Sequence, residues 1–171
     1  MGTTAHDDTA PAAPSPLASI VALGVLLALA FGTALLGVLS SPDTAGEYAS
    51  LTRPGWAPPS WLFGPVWTAL YAMIAFSGWL VWRRGRLRGL ALALFAGQLV
   101  FNALWTPLFF GLGLRGTALV DIVVLLVTVT ATITVFARAS RTAALLLVPY
   151  WAWVGFATAL NAAIWWLNRG S

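Results

Sequence analysis

Cysteine and lysine are absent from this 171-residue sequence, and histidine occurs once, as His6. Without cysteine the chain has no disulfide, no thiolate metal ligand and no thiol nucleophile. The longest apolar runs contain neither histidine nor cysteine, so they hold no evident metal or haem-iron ligand. Acidic residues number only five. The sequence therefore shows no Ser-His-Asp set and no paired carboxylates that would drive hydrolysis.

Charge is scarce overall, because only 8% of the residues are charged and 60% are hydrophobic. Ordinary soluble domains carry about 25% charged residues. This composition predicts an integral membrane protein embedded in a lipid bilayer. The net charge of +4 is small, so it does not suggest a nucleic-acid partner and more naturally sets the orientation in the membrane.

The first 16 residues, MGTTAHDDTAPAAPSP, are small, polar and proline-rich and predict a disordered tail. Two aspartates stand where a secretory signal would carry basic residues, so we expect no cleaved signal. A spanning helix needs about 20 apolar residues. The rest of the chain therefore predicts one all-α domain, residues 17–168, with five spans at 17–39, 61–82, 90–112, 117–137 and 143–167, and with one long connection at 40–60.

Arginine positions predict the orientation of the five spans. Six arginines fall in the second and fourth connections, at positions 83, 84, 86, 88, 138 and 141. The opposite side has three, Arg53, Arg115 and Arg169. Because cytoplasmic loops are enriched in arginine, we expect a cytoplasmic N-terminus, an external C-terminus and an external first connection.

Four prolines and three tryptophans occur within RPGWAPPSWLFGPVW, residues 53–67. The prolines predict a stiff, extended approach to the second span. Trp56 and Trp61 suit an interfacial aromatic belt as well as a ligand site. Trp67 lies about two turns inside, with Tyr71 on the same stripe. It predicts either a helix–helix contact or a contact with a flat aromatic ligand.

Amide side chains mark the third span, in QLVFNALW. Gln98, Asn102 and Trp105 are spaced i, i+4 and i+7, so they share one helix face. Amides are costly when they face lipid, so these must face protein or a cavity. Interhelical hydrogen bonding and ligand contact are equally consistent with Gln98 and Asn102.

The fifth span, in VPYWAWVGFATALNAAIWWLN, carries a similar set of residues. Tyr150, Ala157 and Asn161 fall close to one stripe, and Trp153 lies about 60° away. Pro149 predicts a kink near one end of this helix. Polar and aromatic groups of three spans are therefore expected to converge on a common interior.

Asp121 is the acidic residue inside a predicted span. An intramembrane carboxylate suggests a functional site, but its position near a helix end also suits pairing with Arg115 or with neighbouring amides. Small residues at Gly89, Ala93 and Gly97 would permit close helix approach. They make the third span our preferred face for a homodimer.

Long motifs identify a family resemblance. The stretch RPGWAPPSWLFGPVWTALYAMIAFSGWLVW resembles the segment after the first helix of the TspO/MBR family, which comprises the tryptophan-rich sensory proteins and the translocator protein or peripheral-type benzodiazepine receptor. QLVFNALWTPLFFG, ALVDIVVL and AALLLVPYWAWVGFATALNAAIW are similar to the family's third, fourth and fifth helices. The resemblance runs from about residue 48 to residue 168.

The resemblance implies a five-helix bundle, often dimeric, with a porphyrin-binding pocket under a lid formed by the first connection. It implies synthetic benzodiazepine-type ligands in eukaryotic members. It also implies cholesterol there, although Ala162 and Trp166 depart from the Tyr-plus-basic cholesterol stretch and make that role doubtful. The positions that match the family pocket are Trp56, Trp67, Gln98, Asn102, Trp153, Ala157 and Leu160.

The function expected from the residues and the resemblance is a membrane tetrapyrrole sensor or regulator. Its ligand would be protoporphyrin IX or a haem-like ring, with no obligatory cofactor. Light-dependent degradation of protoporphyrin IX is also implied, with Trp67 and Trp153 participating. Arg53 is a candidate partner for a propionate. The alternatives are a transporter of porphyrins or other amphipathic molecules, and a structural membrane protein whose aromatic residues only fill space.

Overall fold

The computed structural model describes residues 14–169, which are helical throughout apart from short connections. The predicted all-α fold with five helices long and apolar enough to cross a bilayer is confirmed. In chain order the α-helices are α1 (Pro16–Ser40), α2 (Thr44–Ser50), α3 (Phe63–Arg83), α4 (Leu90–Thr106), α5 (Arg115–Ala137), α6 (Arg141–Leu146) and α7 (Val148–Asn168).

Helix ends follow local capping chemistry. The Ser15 hydroxyl accepts from the amide of Ala18 at 3.2 Å, and Pro16 occupies the first turn of α1. The N–H groups of the first helical turn have no acceptor within the helix, so the missing N–H of proline costs little there. Most of the predicted tail, residues 1–13 with His6, lies outside the described residues, whereas Pro16, which we assigned to that tail, begins the first helix.

The connection at 40–60 is more structured than the sequence indicated. It contains the short helix α2, whose first turn is capped by the Asp43 carboxylate accepting from the amide of Gly46 at 3.0 Å. A single 3₁₀ turn at Ser60–Leu62 then leads into α3. We call residues 41–60 the lid. The end of the bundle that it covers is the lid end, and the opposite end, with Arg83–Arg88 and Arg138–Arg141, is the arginine end.

Proline shapes two of the spanning helices. The α-helical part of the third span ends at Thr106, and Pro107–Gly111 continues it as a π-helical segment. The fifth span breaks at Leu147 into α6 and α7, two residues before Pro149. Proline lacks the N–H of a helical hydrogen bond and its ring clashes with the carbonyl four residues earlier, so continuous α-helix is disfavoured at both places.

Two hydrophobic cores hold the bundle together. The larger core fills the middle and the arginine end, and includes Ile74, Phe95, Val129 and Phe136. There the Ser77 hydroxyl donates to a backbone carbonyl of α6 at 2.8 Å. A smaller core at the lid end joins the lid to the spans through Tyr48, Phe109, Ala118, Leu160 and Ile164. The outward faces are apolar and exposed, as expected of helices embedded in a lipid bilayer.

Candidate functional site

A cavity of about 360 Å³ lies at the lid end of the bundle, beneath the lid. All five spans contribute to its walls, and α2 with Ser60 contributes to its roof. The lining residues are Phe31, Thr33, Ala34, Gly37, Val38, Thr44, Ala45, Tyr48, Ser60, Phe63, Gly64, Trp67, Thr68, Tyr71, Asn102, Trp105, Thr106, Phe109, Phe110, Ile122, Leu125, Trp153, Val154, Ala157, Leu160, Asn161 and Ile164. None of these described lining residues carries a formal charge near neutral pH.

Aromatic rings form two stacked pairs in the cavity wall. Trp67 and Tyr71 lie one turn apart on α3 with ring centroids 5.2 Å apart and an interplanar angle of 27°. Trp105 stacks on Phe109 at 4.9 Å with an angle of 24°. Rings held against each other in this way present flat, rigid and apolar surfaces. A planar guest can stack on such surfaces with little loss of side-chain freedom.

A chain of hydrogen bonds joins three spans at the base of the cavity. The Tyr71 hydroxyl donates to Asn102 Oδ1 at 2.7 Å, and Asn102 Nδ2 donates to the Tyr150 hydroxyl at 3.0 Å. All three side chains are buried. Asn102 therefore acts as an interhelical link, and it also lines the cavity, so the two readings of this amide are not exclusive.

A second amide, that of Asn161, connects three helices in the cavity wall. Trp105 Nε1 donates to Asn161 Oδ1 at 3.0 Å, and Asn161 Nδ2 donates to the carbonyl of Arg115 at 2.9 Å. These bonds fix the ring plane of Trp105 and join α4, α5 and α7. The indole N–H of Trp153 differs, because it is buried and has no hydrogen-bond partner among residues 14–169.

Contacts among its own residues stabilise the conformation of the lid. The Tyr48 hydroxyl donates to the carbonyl of Pro58 at 2.9 Å, and the Arg53 guanidinium lies over the Tyr48 ring, 4.7 Å from its centroid. Burial raises the pKa of Tyr48, and the nearby Arg53 charge acts in the opposite direction. The phenol thus stays a neutral hydrogen-bond donor at physiological pH, facing the cavity with one side and Arg53 with the other.

Eight of the residues singled out from the sequence line the cavity: Trp67, Tyr71, Asn102, Trp105, Trp153, Ala157, Leu160 and Asn161. Three others do not. Trp56 is 52% exposed and packs edge-on against Phe156, with ring centroids 5.7 Å apart. Tyr150 is buried behind Asn102. Gln98 is fully buried one turn from Asn102, and neither of its amide atoms has a partner among the described residues.

Asp121 lies outside the cavity wall, although Ile122 and Leu125 of the same helix line it. Its carboxylate is buried, and Oδ2 has no hydrogen-bond partner within residues 14–169. The pairing with Arg115 that the sequence suggested is absent from the described part of the chain, where Arg115 Nε is also buried and unpaired. The reason is spacing, since residues six apart face different sides of a helix.

Several lining residues carried no sequence signal. Gly37 allows α1 to approach α4 so closely that an added Cβ would lie 3.2 Å from Thr106 Oγ1. Phe31 and Val38 of α1, and Tyr48 of the lid, also line the cavity. A uniformly apolar first span gives no periodicity from which its cavity-facing side could be found, and the lid residues depend on tertiary packing.

These features define a polytopic α-helical membrane protein with an aromatic small-molecule cavity under a lid. The chain belongs to the TspO/MBR family, which it matches over residues 24–167. It is 37% identical to the translocator protein of Homo sapiens over 157 residues, which cover 88% of this chain and 92% of that relative.

Bacterial relatives are equally similar. Identity is 39% over 154 residues to the tryptophan-rich protein TspO of Chlorobaculum tepidum, covering 87% of this chain and 97% of the relative. It is 40% over 144 residues to the tryptophan-rich sensory protein of Cereibacter sphaeroides, covering 83% and 88%. The resemblance noted in the sequence is confirmed. These relationships support a sensory or regulatory role in the membrane.

Proposed function

We propose that this protein is a sensor or regulator that binds a tetrapyrrole, such as protoporphyrin IX or a haem-like ring, in the membrane of a bacterial envelope. The observation that carries the proposal is the cavity with stacked indole and phenol rings beneath the lid. Its volume of about 360 Å³ falls within the range of roughly 300–1,000 Å³ that is usual for small-molecule sites.

The walls favour the ring system of the ligand. Trp67, Trp105 and Trp153 offer apolar area on several sides of the cavity, and each aromatic contact adds about 0.5–1.5 kcal/mol beyond simple burial. The indole N–H of Trp153, which is buried and has no hydrogen-bond partner among residues 14–169, suits a neutral acceptor atom on the ligand.

The lack of charge in the lining constrains the ligand's carboxylates. An ionised propionate inside an apolar cavity would lose its hydration without a compensating partner. The propionates are therefore best placed at the mouth, beside the lid. Arg53 lies there, exposed and packed on the outer side of Tyr48, and an arginine is well suited to pair with a carboxylate. Synthetic benzodiazepine-type ligands, which carry no such charge, would occupy the cavity alone.

Light-dependent loss of the bound ring is part of the proposal. The photoexcited porphyrin, with molecular oxygen as the oxidant, would react while held against Trp67 and Trp153. Both indoles line the cavity, and Trp67 also contacts Tyr150 edge-on at 6.2 Å. These two tryptophans would contact the ring and take part in electron transfer.

The test is quenching of protoporphyrin IX fluorescence by the protein in nanodiscs, comparing the wild type with Trp67→Phe and Trp153→Phe. Trp151→Phe is the matched control, because Trp151 lies on α7 as well, but outside the cavity, where its Nε1 donates to Thr130. We expect weaker binding and slower ring loss under light for the two cavity variants only. Saturable binding that is indifferent to both changes would remove these residues from the site.

A transporter is the second candidate, and the observation in its favour is that Asp121 Oδ2 is buried with no hydrogen-bond partner among residues 14–169. An intramembrane carboxylate is a natural coupling group. Porphyrin flux into proteoliposomes that disappears in Asp121→Asn, with binding intact, would support transport. Flux that persists unchanged in Asp121→Asn, or that equals leakage into empty liposomes, would reject it.

We also propose a homodimer through α4. Ala93 is exposed, and a Cβ added at Gly89 would meet nothing within 4 Å. Gly97 is less free, since its added Cβ would lie 3.8 Å from Thr128 of the same chain. Ala93→Leu should therefore shift the mass measured by light scattering in detergent from dimer to monomer. A wild type that is already monomeric in nanodiscs and in mild detergent would reject the dimer.

A further inference from the structure

The helices α1 and α3 form one side of the cavity, and a hydrogen bond joins them toward the arginine end. There Trp79 Nε1 donates to the carbonyl of Ser19 at 2.9 Å. Near the middle of the membrane, Phe31 and Tyr71 meet with ring centroids 6.0 Å apart. Beyond this level the cavity lies between the two helices, with Ala34 and Val38 on one side and Gly64 and Trp67 on the other.

At the lid end α1 packs closely on α4 and on the π-helical segment that follows it. A Cβ added at Gly37 would lie 3.2 Å from Thr106 Oγ1, and one added at Gly111 would lie 3.1 Å from the carbonyl of Ser40. These close approaches tie the end of α1 to the π-helical segment at Pro107–Gly111. The cavity therefore lies between this end of α1 and α3, and we describe that separation as a gap.

The edges of this gap are both cavity-lining and exposed. On α1 they are Phe31, 38% exposed, and Val38, 62% exposed. On α3 they are Gly64 and Thr68, which are exposed as well, and a Cβ added at Gly64 would meet nothing within 4 Å. Residues that belong to the wall and also to the outer surface mark an opening. We call the opening between these four residues the lateral gap.

The depth of the lateral gap places it in the hydrocarbon layer. Nine residues separate Phe31 from Ser40, the last residue of α1. They span roughly 14 Å at the α-helical rise, and this is about half of the ~30 Å hydrocarbon core. The gap thus extends from the membrane interface to the region of the bilayer centre, and an apolar solute dissolved in the acyl chains would meet it directly.

We infer that the lateral gap is the route by which the ligand passes between the bilayer and the cavity. This inference rests on the proposed function. It restricts the ligand to molecules that partition into the acyl-chain region. Passage over the top would require the lid to open. That movement would break the two bonds between Thr52 of the lid and Asn168 of the last span. Passage between α1 and α3 would leave both of these bonds intact.

The test narrows the gap without touching the lid. Val38→Trp and Thr68→Trp place bulk at its two edges. Leu36→Trp is the control, since Leu36 is 59% exposed on the same helix as Val38 and does not line the cavity. In nanodiscs, followed by the porphyrin's own fluorescence, we expect both edge variants to bind and to release protoporphyrin IX about ten-fold more slowly. Leu36→Trp and Asn168→Ala should keep wild-type rates.

A second measurement needs no porphyrin. A bilayer-soluble aryl diazirine, activated by light, should label Trp105 and Trp153 in the wild type and in Leu36→Trp, and label them much less in Val38→Trp or Thr68→Trp, as read by mass spectrometry. Thermal melting verifies that each variant is folded. If porphyrin fails to bind while labelling follows this pattern, the proposed function fails and the route stands. Equal labelling in all variants, or faster porphyrin exchange in Asn168→Ala alone, overturns the route.

Discussion

Asn168, near the end of the last span, holds both backbone polar atoms of Thr52 in the lid. Its Oδ1 accepts from the amide of Thr52 at 3.1 Å, and its Nδ2 donates to the carbonyl of Thr52 at 2.9 Å. The same Nδ2 also donates to the carbonyl of Ile164 at 2.7 Å, which fixes the side chain against its own helix. One amide thus fastens an extended part of the lid to the bundle.

Asn168→Ala should loosen the lid without unfolding the spans. Each net hydrogen bond is worth about 1 kcal/mol, so losing the pair should raise hydrogen–deuterium exchange of amides in residues 51–58 by roughly thirty-fold. Asn168→Asp, which keeps the acceptor for the Thr52 amide and loses the donor, should give an intermediate rate. Exchange in this segment that is identical in all three proteins would contradict the role of Asn168 as a fastener.

Gln98 and Asn102, one turn apart on α4, should respond in opposite directions to the same change. Asn102→Leu breaks the bonds to Tyr71 and Tyr150 and strands two buried hydroxyls, so it should destabilise the protein by about 2 kcal/mol. Gln98→Leu removes a fully buried amide whose two polar atoms have no partner among residues 14–169. It should leave the melting temperature unchanged or raise it, and keep porphyrin affinity. A fall in stability for Gln98→Leu as large as that for Asn102→Leu would contradict this assignment.

Gly78 is required by the packing of α3 on the core. An added Cβ would lie 2.7 Å from the ring of Phe95, which is buried and stacked on Phe136 and so has little freedom to move. We expect Gly78→Ala to cost about 1–3 kcal/mol of stability in a melting experiment. Gly155→Ala is the matched control, since a Cβ there meets nothing within 4 Å. It should raise stability by up to about 1 kcal/mol through helix propensity.

The orientation predicted from the arginines is open to a direct check, because the sequence has no cysteine. Ser50→Cys introduces a thiol in the lid, and Thr142→Cys introduces one at the arginine end; both positions are exposed. A membrane-impermeant maleimide applied to intact cells should label Ser50→Cys and leave Thr142→Cys unlabelled until the membrane is permeabilised. The reverse pattern would place the arginine end outside the cell.

Helix periodicity predicted a large part of the architecture. Tyr71, Asn102 and Tyr150, taken from stripes on three separate predicted spans, meet in one hydrogen-bonded chain. This was predictable because an amide or phenol in a spanning segment must turn away from lipid. The side that each residue faces was therefore determined by its own chemistry.

The parts that periodicity missed depend on tertiary packing. Gln98 shares a helix face with Asn102, yet it lies one turn closer to the arginine end and does not line the cavity. Helix periodicity predicts which side of a helix a residue faces, but not how far along the membrane normal the cavity extends. Trp56, which the family resemblance places in the ligand site, packs edge-on against Phe156 in this structure. The lateral gap depends on the close packing of α1 on α4 at Gly37. An apolar sequence pattern does not predict the angle at which two helices cross.

The uncharged lining of the cavity has a consequence for electrical control of the protein. Moving one elementary charge across a membrane changes its energy by about 2.3 kcal/mol per 100 mV, but a neutral ring that settles among uncharged side chains moves none. The affinity for such a ring should therefore be independent of the membrane potential. Any voltage dependence of binding would come from ligand carboxylates that enter the membrane field with the ring. The size of that dependence would measure how far into the membrane the carboxylates move.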